Sequence, residues 1–225
     1  MSIYILNIET STKACSVAIH NDGKLLNCKE SVTEEFSHSE KLLLFISDVM
    51  NESRISFSQL NAVAVSMGPG SYTGLRIGVS TAKGLCYALD IPLISVSTLQ
   101  AMAYGMLSVS KADLFCPMID ARRMEVYSAF FDSDNIMVRE VQADIVDGSS
   151  YDVELRKKVI FFGDGSDKLK DVIKHKNAIF QSDFYPSAEF IGVLSYNKFV
   201  ESDFEDVAYF EPYYLKDFVA GKKGA

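Results

Sequence analysis

The sequence predicts a duplicated α/β protein of two lobes, the second smaller than the first. Three observations carry that expectation. Two β-rich apolar runs, residues 3–8 and 114–119, each lead through a short polar turn into a return strand and then a third strand. Between these meanders, residues 62–100 (AVAVSMGPGSYTGLRIGVSTAKGLCYALDIPLISVSTLQ) read as a buried strand, a Gly-Pro-Gly turn, a long helix and a second strand. The 225 residues suffice for one sizeable domain or two small ones, and 48% hydrophobic with 23% charged residues is ordinary for a globular chain.

In order, residues 3–8 form the first strand, Glu9-Thr10-Ser11-Thr12-Lys13 a polar turn, and residues 15–20 the return strand. Asn21-Asp22-Gly23 is a hairpin signal leading to a strand over 24–31. Ser37-His38-Ser39-Glu40 reads as a capping box that opens a helix to about residue 50. Leu42, Phe45, Ile46, Val49 and Met50 make its core face, while Leu43 and Leu44 fall outside that face. Residues 62–65 are apolar enough for a strand covered on both sides. Pro69 fixes its own φ, and Gly68 and Gly70 on either side admit dihedrals closed to other residues. Ser71 or Thr73 can then cap a helix over 73–89.

That helix has an unusual perimeter. Arg76, Ser80, Lys83 and Tyr87 form one narrow polar stripe, and Leu75, Val79, Ala82, Cys86 and Leu89 an apolar one. A third stripe, Gly74, Gly78, Ala82 and Cys86, consists only of small residues at i+4 steps and allows another backbone to approach closely. Either its own lobe covers this helix on more than one side, or one side awaits a partner chain. A strand over 92–96 and a helix over 98–107 follow, and a polar break at 108–113 divides a lobe of residues 1–108 from one of 109–225. The second lobe continues with strands over 114–119, 124–131, 136–141 and 159–162, a Gly163-Asp164-Gly165 turn, a helix from about residue 166 and another over 187–201. The segment 209–215 is rich in aromatics.

A formal net charge of −8 sets the surface as a whole against nucleic acid and anionic membranes, so RNA contact would need a local basic patch or a basic partner. Cys15, Cys28, Cys86 and Cys116 form no C-x-x-C pair and are expected as buried free thiols. His20, His38 and His175 are isolated, none at metal-ligand spacing from another His or Cys; His38 is expected as a surface or capping residue. No apolar run approaches 18 residues and the first ends at Ile8, so the expectation is a cytoplasmic protein with neither leader nor membrane span. The lysines at 157, 158, 168, 170, 174 and 176 alternate with aspartates or stand in short runs, as on a solvated face.

Two stretches could carry chemistry. Gly68-Pro69-Gly70 before a helix start is either a tight turn or a phosphate cradle, and it matches neither common glycine-rich nucleotide motif. The turn Glu9, Thr10, Ser11 and Thr12 offers hydroxyls and one carboxylate. With no second carboxylate beside it to hold magnesium or activate a nucleophile, it supports at most residual nucleotide binding.

The stretches ILNIETSTKACSVAI, HSEKLL, GPGSYTGLRIGVSTAKGL and PYYLKDFVAGKK closely resemble the TsaB (YeaZ) family, bacterial subunits of the machinery that makes threonylcarbamoyladenosine (t6A) in tRNA. The resemblance covers most of the chain and is strongest over residues 1–105. It implies the actin-like, sugar-kinase-like fold of two duplicated ribonuclease H-like lobes, the second reduced. It also implies a role without catalysis, metal or cofactor of its own, supporting the paralogue TsaD, which transfers threonylcarbamoyl to adenosine 37, with the ATPase TsaE joining the assembly. tRNA would then be met only through the complex. The paralogue's H-x-x-x-H metal pair falls here on Thr98 and Met102, and neither supplies an imidazole. The family's two interface helices correspond to residues 37–50 and 73–89, pairing with TsaD or, in its absence, with a second copy. Leu43, Leu44, Gly74, Gly78, Ala82 and Cys86 are the expected contact residues. The other readings are an ATP-dependent phosphotransferase or ATPase of the same superfold, with Glu9 and Asp120 as its carboxylates, and a peptidase, for which no Ser/His or Cys/His constellation is visible.

Overall fold

The structure, a computed structural model, describes residues 2–33 and 38–216. Ten strands form two five-stranded sheets of one topology. The first runs β3-β2-β1-β4-β5, from β1 (Tyr4–Glu9), β2 (Ala14–Asn21), β3 (Lys24–Val32), β4 (Leu60–Gly68) and β5 (Leu93–Ser97). The second runs β8-β7-β6-β9-β10, from β6 (Leu114–Asp120), β7 (Glu125–Phe131), β8 (Met137–Ile145), β9 (Val159–Phe162) and β10 (Ala178–Gln181). In each sheet three antiparallel strands are extended by two parallel ones, so the duplication expected from the two meanders is present strand for strand.

Helices α1 (His38–Ser53) and α2 (Tyr72–Leu89) cover one face of the first sheet, burying Leu42, Ile46, Val49, Val79, Ala82 and Cys86 against Leu6, Ile8, Val17, Val63 and Val65. On its other face lie α3 (Thr98–Leu107) and α4 (Ala188–Glu201), through Ala101 and Ile191. The second sheet packs on α3 through Phe115, Ile119, Phe131, Ile160 and Phe162. The order of layers is therefore helices, sheet, helices, sheet. No helix among the described residues is long and apolar enough to cross a membrane.

Where the first lobe carries α1 and α2, the described residues of the second show 3-10 turns at Glu154–Arg156 and Asp167–Leu169. The helix expected from about residue 166 is thus a correction. Its amides bond at mixed i−3 and i−4 spacing (Leu169 to Ser166, Val172 to Leu169, Ile173 to Leu169), and the chain then turns into β10 at Ala178. Strand β10 was not among the expected elements. The expected helix over 187–201 is present with Ser187 as its cap, yet it packs on the first sheet, with Ala188 N donating to Ser16 Oγ at 2.7 Å. Ser37, the expected N-cap of α1, lies outside the described residues.

Helix α4 is held down by a buried polar chain. Asn7 Nδ2 donates to His20 Nδ1 (3.0 Å), His20 Nε2 donates to the Glu189 carbonyl (3.2 Å), and Ser195 Oγ donates to Asn7 Oδ1 (2.7 Å). Gly192 lies so close that a Cβ there would stand 2.0 Å from the imidazole. Burial lowers the His20 pKa to about 4, only partly opposed by the bond to the Glu189 carbonyl. A second ring proton would also face a donor, Asn7 Nδ2, in place of an acceptor. Because the folded-state pKa is below the unfolded value of about 6.5, His20 contributes stability that is complete above pH 6.5 and lost as pH falls toward 4. Urea titrations should therefore show a loss on the order of 3 kcal/mol across that window, and His20→Gln should remove most of this pH dependence.

Candidate functional site

Two concave regions concern the expected site residues, and α2 borders both. The first is a cleft of about 710 Å³ between the lobes, with Ser11, Thr12, Lys13, Gly70, Ser71, Tyr72 and Thr73 on one wall and Asp120, Arg122, Tyr127 and Asp164 on the other. It sits at the C-terminal ends of parallel strands β1 and β4, where α/β sheets commonly hold ligands.

The first-lobe wall is stitched together by its own backbone. Ser71 N donates to the Ser11 carbonyl at 2.6 Å, and Thr10 Oγ1 donates to the Gly74 carbonyl at 2.8 Å. Ser71 Oγ accepts from Gly74 N and so is the N-cap, the first of the two candidates. Added Cβ atoms on Gly70, Gly74 and Gly78 would lie 2.4 Å from the Ser11 carbonyl, 2.1 Å from the Thr10 carbonyl and 2.3 Å from Thr10 Oγ1. Gly68, at φ +111°, has the Tyr213 carbonyl 2.8 Å from its missing Cβ and lines a separate cavity. The glycines serve contact between chain segments first.

Glu9, Thr10, Ser11 and Thr12 are all buried. Burial raises the Glu9 pKa, outweighing hydrogen bonds from Ser11 and Ser66 that lower it. Glu9 Oε1 accepts from Ser11 N at 2.6 Å, while Oε2 and the hydroxyls of Ser11 and Ser66 are buried with no other partner. Across the cleft, Asp120 is ion-paired with Lys168, and Asp164 is raised by burial and by the nearby Asp120 charge. Its Oδ1 accepts from Asp120 N at 3.0 Å. Of the carboxylates that line this cleft, Asp120 is thus ion-paired and Asp164 accepts an amide, while Glu9 lies buried behind the wall. Thr98 and Met102 are buried at the start of α3, the Met102 methyl packed toward Gly163. Among the described residues, no group of three or more His, Cys, Asp or Glu stands together as a metal site.

The second region is a groove of about 510 Å³ between α1 and α2, lined by His38, Leu42, Leu43, Tyr72, Thr73, Arg76, Ile77, Ser80 and Thr81. Leu43 and Leu44 are 64% and 62% exposed, a large apolar area for adjacent helical residues. Gly74, Gly78, Ala82 and Cys86 require a correction: all four are buried within the chain, against Thr10 and β4, so the small-residue stripe faces inward. The outward edge is the polar stripe, on which Tyr87 is 86% exposed. Sequence periodicity showed both stripes without showing which one the sheet would take. His38 also departs from expectation: it is buried, its Nε2 donating to the Ala14 carbonyl at 3.1 Å and tying α1 to β2. Tyr213, Tyr214 and Lys216, which close the cleft, were signalled only by the aromatic character of their segment.

Two sheets of one topology enclosing a cleft define a protein of the actin-like, sugar-kinase-like class. A family model described as "TsaD: tRNA N6-adenosine threonylcarbamoyltransferase" matches residues 34–222. The Escherichia coli tRNA threonylcarbamoyladenosine biosynthesis protein TsaB is 33% identical over 97% of both chains, and the Bacillus subtilis TsaB is 30% identical over 76% of this chain and 75% of its own. The solved structure of YeaZ from Pseudomonas aeruginosa superimposes with a TM-score of 0.80 at 26% identity, covering 95% of this chain and all of that one. The chain belongs to the TsaB (YeaZ) family.

The raised Glu9 pKa has a measurable consequence. Its folded pKa lies above its unfolded one, so its contribution is fullest below the unfolded value and declines as pH rises through the folded one. Glu9→Gln should abolish that decline and be at least as stable as wild type at pH 8. A loss of more than about 2 kcal/mol there, read by urea unfolding, would show that the fold needs the charge.

Proposed function

We propose that this chain is a non-catalytic scaffold and activating subunit of the complex that transfers a threonylcarbamoyl group to adenosine 37 of tRNA. It acts by docking on the TsaD homologue of its own organism, with a TsaE homologue joining the assembly and a homodimer forming when TsaD is absent. The observation that carries this reading is the exposed apolar face at the α1–α2 groove, with Leu43 and Leu44 open to solvent beside Ile77 and Tyr72. Helices interlock through ridges and grooves, and two adjacent helices with such a face suit another helix pair. The residual nucleotide binding expected at Glu9, Thr10, Ser11, Thr12, Gly68 and Gly70 is no part of the proposed activity. The division into a docking lobe of residues 1–108 and a smaller lobe of 109–225 belongs to the same reading, with α4 returned to the first sheet.

Phosphotransfer by the same superfold is less well supported. It needs a charged carboxylate to position magnesium or a nucleophile. Glu9 is buried and favours its neutral form, and Asp120 is taken up by Lys168. The name TsaB carries a biosynthetic role for its relatives, and the burial of Glu9 together with the pairing of Asp120 supports a subunit rather than an enzyme in that role.

Size-exclusion chromatography with light scattering tests the reading. The chain mixed with its organism's TsaD should elute as a one-to-one complex that replaces a homodimer. Leu43→Asp/Leu44→Asp, at two exposed positions, should keep the fold and weaken association by at least about 100-fold, as expected for loss of a buried apolar anchor. A wild-type chain that ignores TsaD, or a double variant that binds it normally, would overturn the proposal.

A further inference from the structure

After α4 the chain does not leave the molecule but crosses four elements in turn. Glu205 N donates to the Leu93 carbonyl at 2.9 Å, at the edge of the first sheet. Lys83 Nζ, on α2, donates to the carbonyls of Ala208 (3.0 Å) and Phe210 (3.1 Å). Tyr213 N donates to the Met67 carbonyl at 2.7 Å, and Lys216 forms an ion pair with Glu125 at the start of β7. Residues 213–216 thus run from the first lobe to the second along the rim of the cleft.

The first-lobe anchor of this segment is also a wall of the groove. The Tyr214 ring lies 4.9 Å from that of Tyr72, Arg76 Nε donates to Tyr214 Oη at 3.3 Å, and the Arg76 guanidinium stands 4.2 Å from the Tyr72 ring centre. Tyr72 and Thr73 line both the α1–α2 groove and the interlobe cleft. The two concavities are therefore separated by a single layer of side chains, and that layer grips the segment that bridges the lobes.

We propose that residues 213–216 are a strap coupling the groove to the cleft. Moving Arg76 at the groove loosens Tyr214, which loosens the hold of Lys216 on Glu125 and lets the second-lobe turn at 120–125 move relative to the first lobe. Occupation of the groove would reach the cleft by this route, and the coupling belongs to the free chain and does not depend on what fills the groove. Strain in one position is felt at the other because packed contacts of this kind have discrete arrangements.

Amide hydrogen exchange on the whole chain, followed by mass spectrometry, tests this without any partner. The turn at 120–125 is a suitable reporter, since its amides are bonded: Ala121 N to the Glu125 carbonyl and Glu125 N to that of Arg122, both at 3.1 Å. Arg76→Ala removes an exposed side chain and should speed exchange about threefold or more both at 213–216 and at 120–125, as loss of one exposed cation–π and hydrogen-bond contact implies. Ser80→Ala, which alters the same groove away from the strap, should leave both segments at wild-type rates. Lys216→Ala should speed the 120–125 turn and leave 72–80 unchanged. Three results would overturn the proposal: an Arg76→Ala effect confined to 213–216, an equal effect from Ser80→Ala, or a uniform acceleration that includes β1 and α4.

Discussion

The contact on which the rest depends is the approach of α2 to the turn after β1. Thr10 Oγ1 donates to the Gly74 carbonyl, the Ser11 carbonyl accepts from Ser71 N, and Gly70, Gly74 and Gly78 leave no room for a side chain between them. Backbone packed this closely must satisfy its polar groups internally, so the helix start and the turn are each other's hydrogen-bond partners. The turn therefore lies under the helix in place of standing free in the cleft, and Glu9 is buried with it. The same contact sets the rotation of α2. Its small stripe faces the sheet, which sends Arg76, Ser80 and Tyr87 outward and places Tyr72 between groove and cleft.

That rotation decides how an exposed apolar face and a cleft with paired carboxylates come from one arrangement. A carboxyl at the end of β1 stays charged when water or a cation reaches it. Here burial favours the proton, and one carboxyl oxygen is held by the Ser11 amide. Across the cleft, Asp120 has Lys168 and Asp164 accepts an amide. The polar groups of the cleft are spent on holding its walls, while the apolar groups of α1 are left to solvent.

Much of this was legible from residue patterns. The two meanders and their hairpin turns were, because period-2 alternation and Asn-Asp-Gly punctuation are local signals. The limits of α3 and the capping of α2 by Ser71 were too, since caps depend on a few neighbouring residues. What escaped was long-range. Whether Gly74 and Gly78 meet another chain or Thr10 turns on a contact 64 residues away in sequence. That α4 packs on the first sheet depends on Asn7, His20 and Ser16, far from it in the chain. The burial of His38 likewise follows from the Ala14 carbonyl on β2.

The reduction of the second lobe gives the asymmetry its sense. With 3-10 turns in place of helices among the described residues of its outer side, the second sheet closes its core with side chains. Phe130, Tyr151, Phe161 and Phe180 form a chain of ring contacts 5.2 to 6.2 Å apart. Arg139 lies over two of those rings while its guanidinium grips Asp144 through both oxygens, at 2.7 and 2.9 Å. A face sealed by aromatics and a bidentate ion pair has its polar groups matched and its grease covered. Exposed apolar residues on a helix pair, Leu43 and Leu44 beside the α1–α2 groove, belong to the first sheet's outer side. The two sheets share one topology, and among the described residues the helices that cover the outer face of the first have no counterpart on the second.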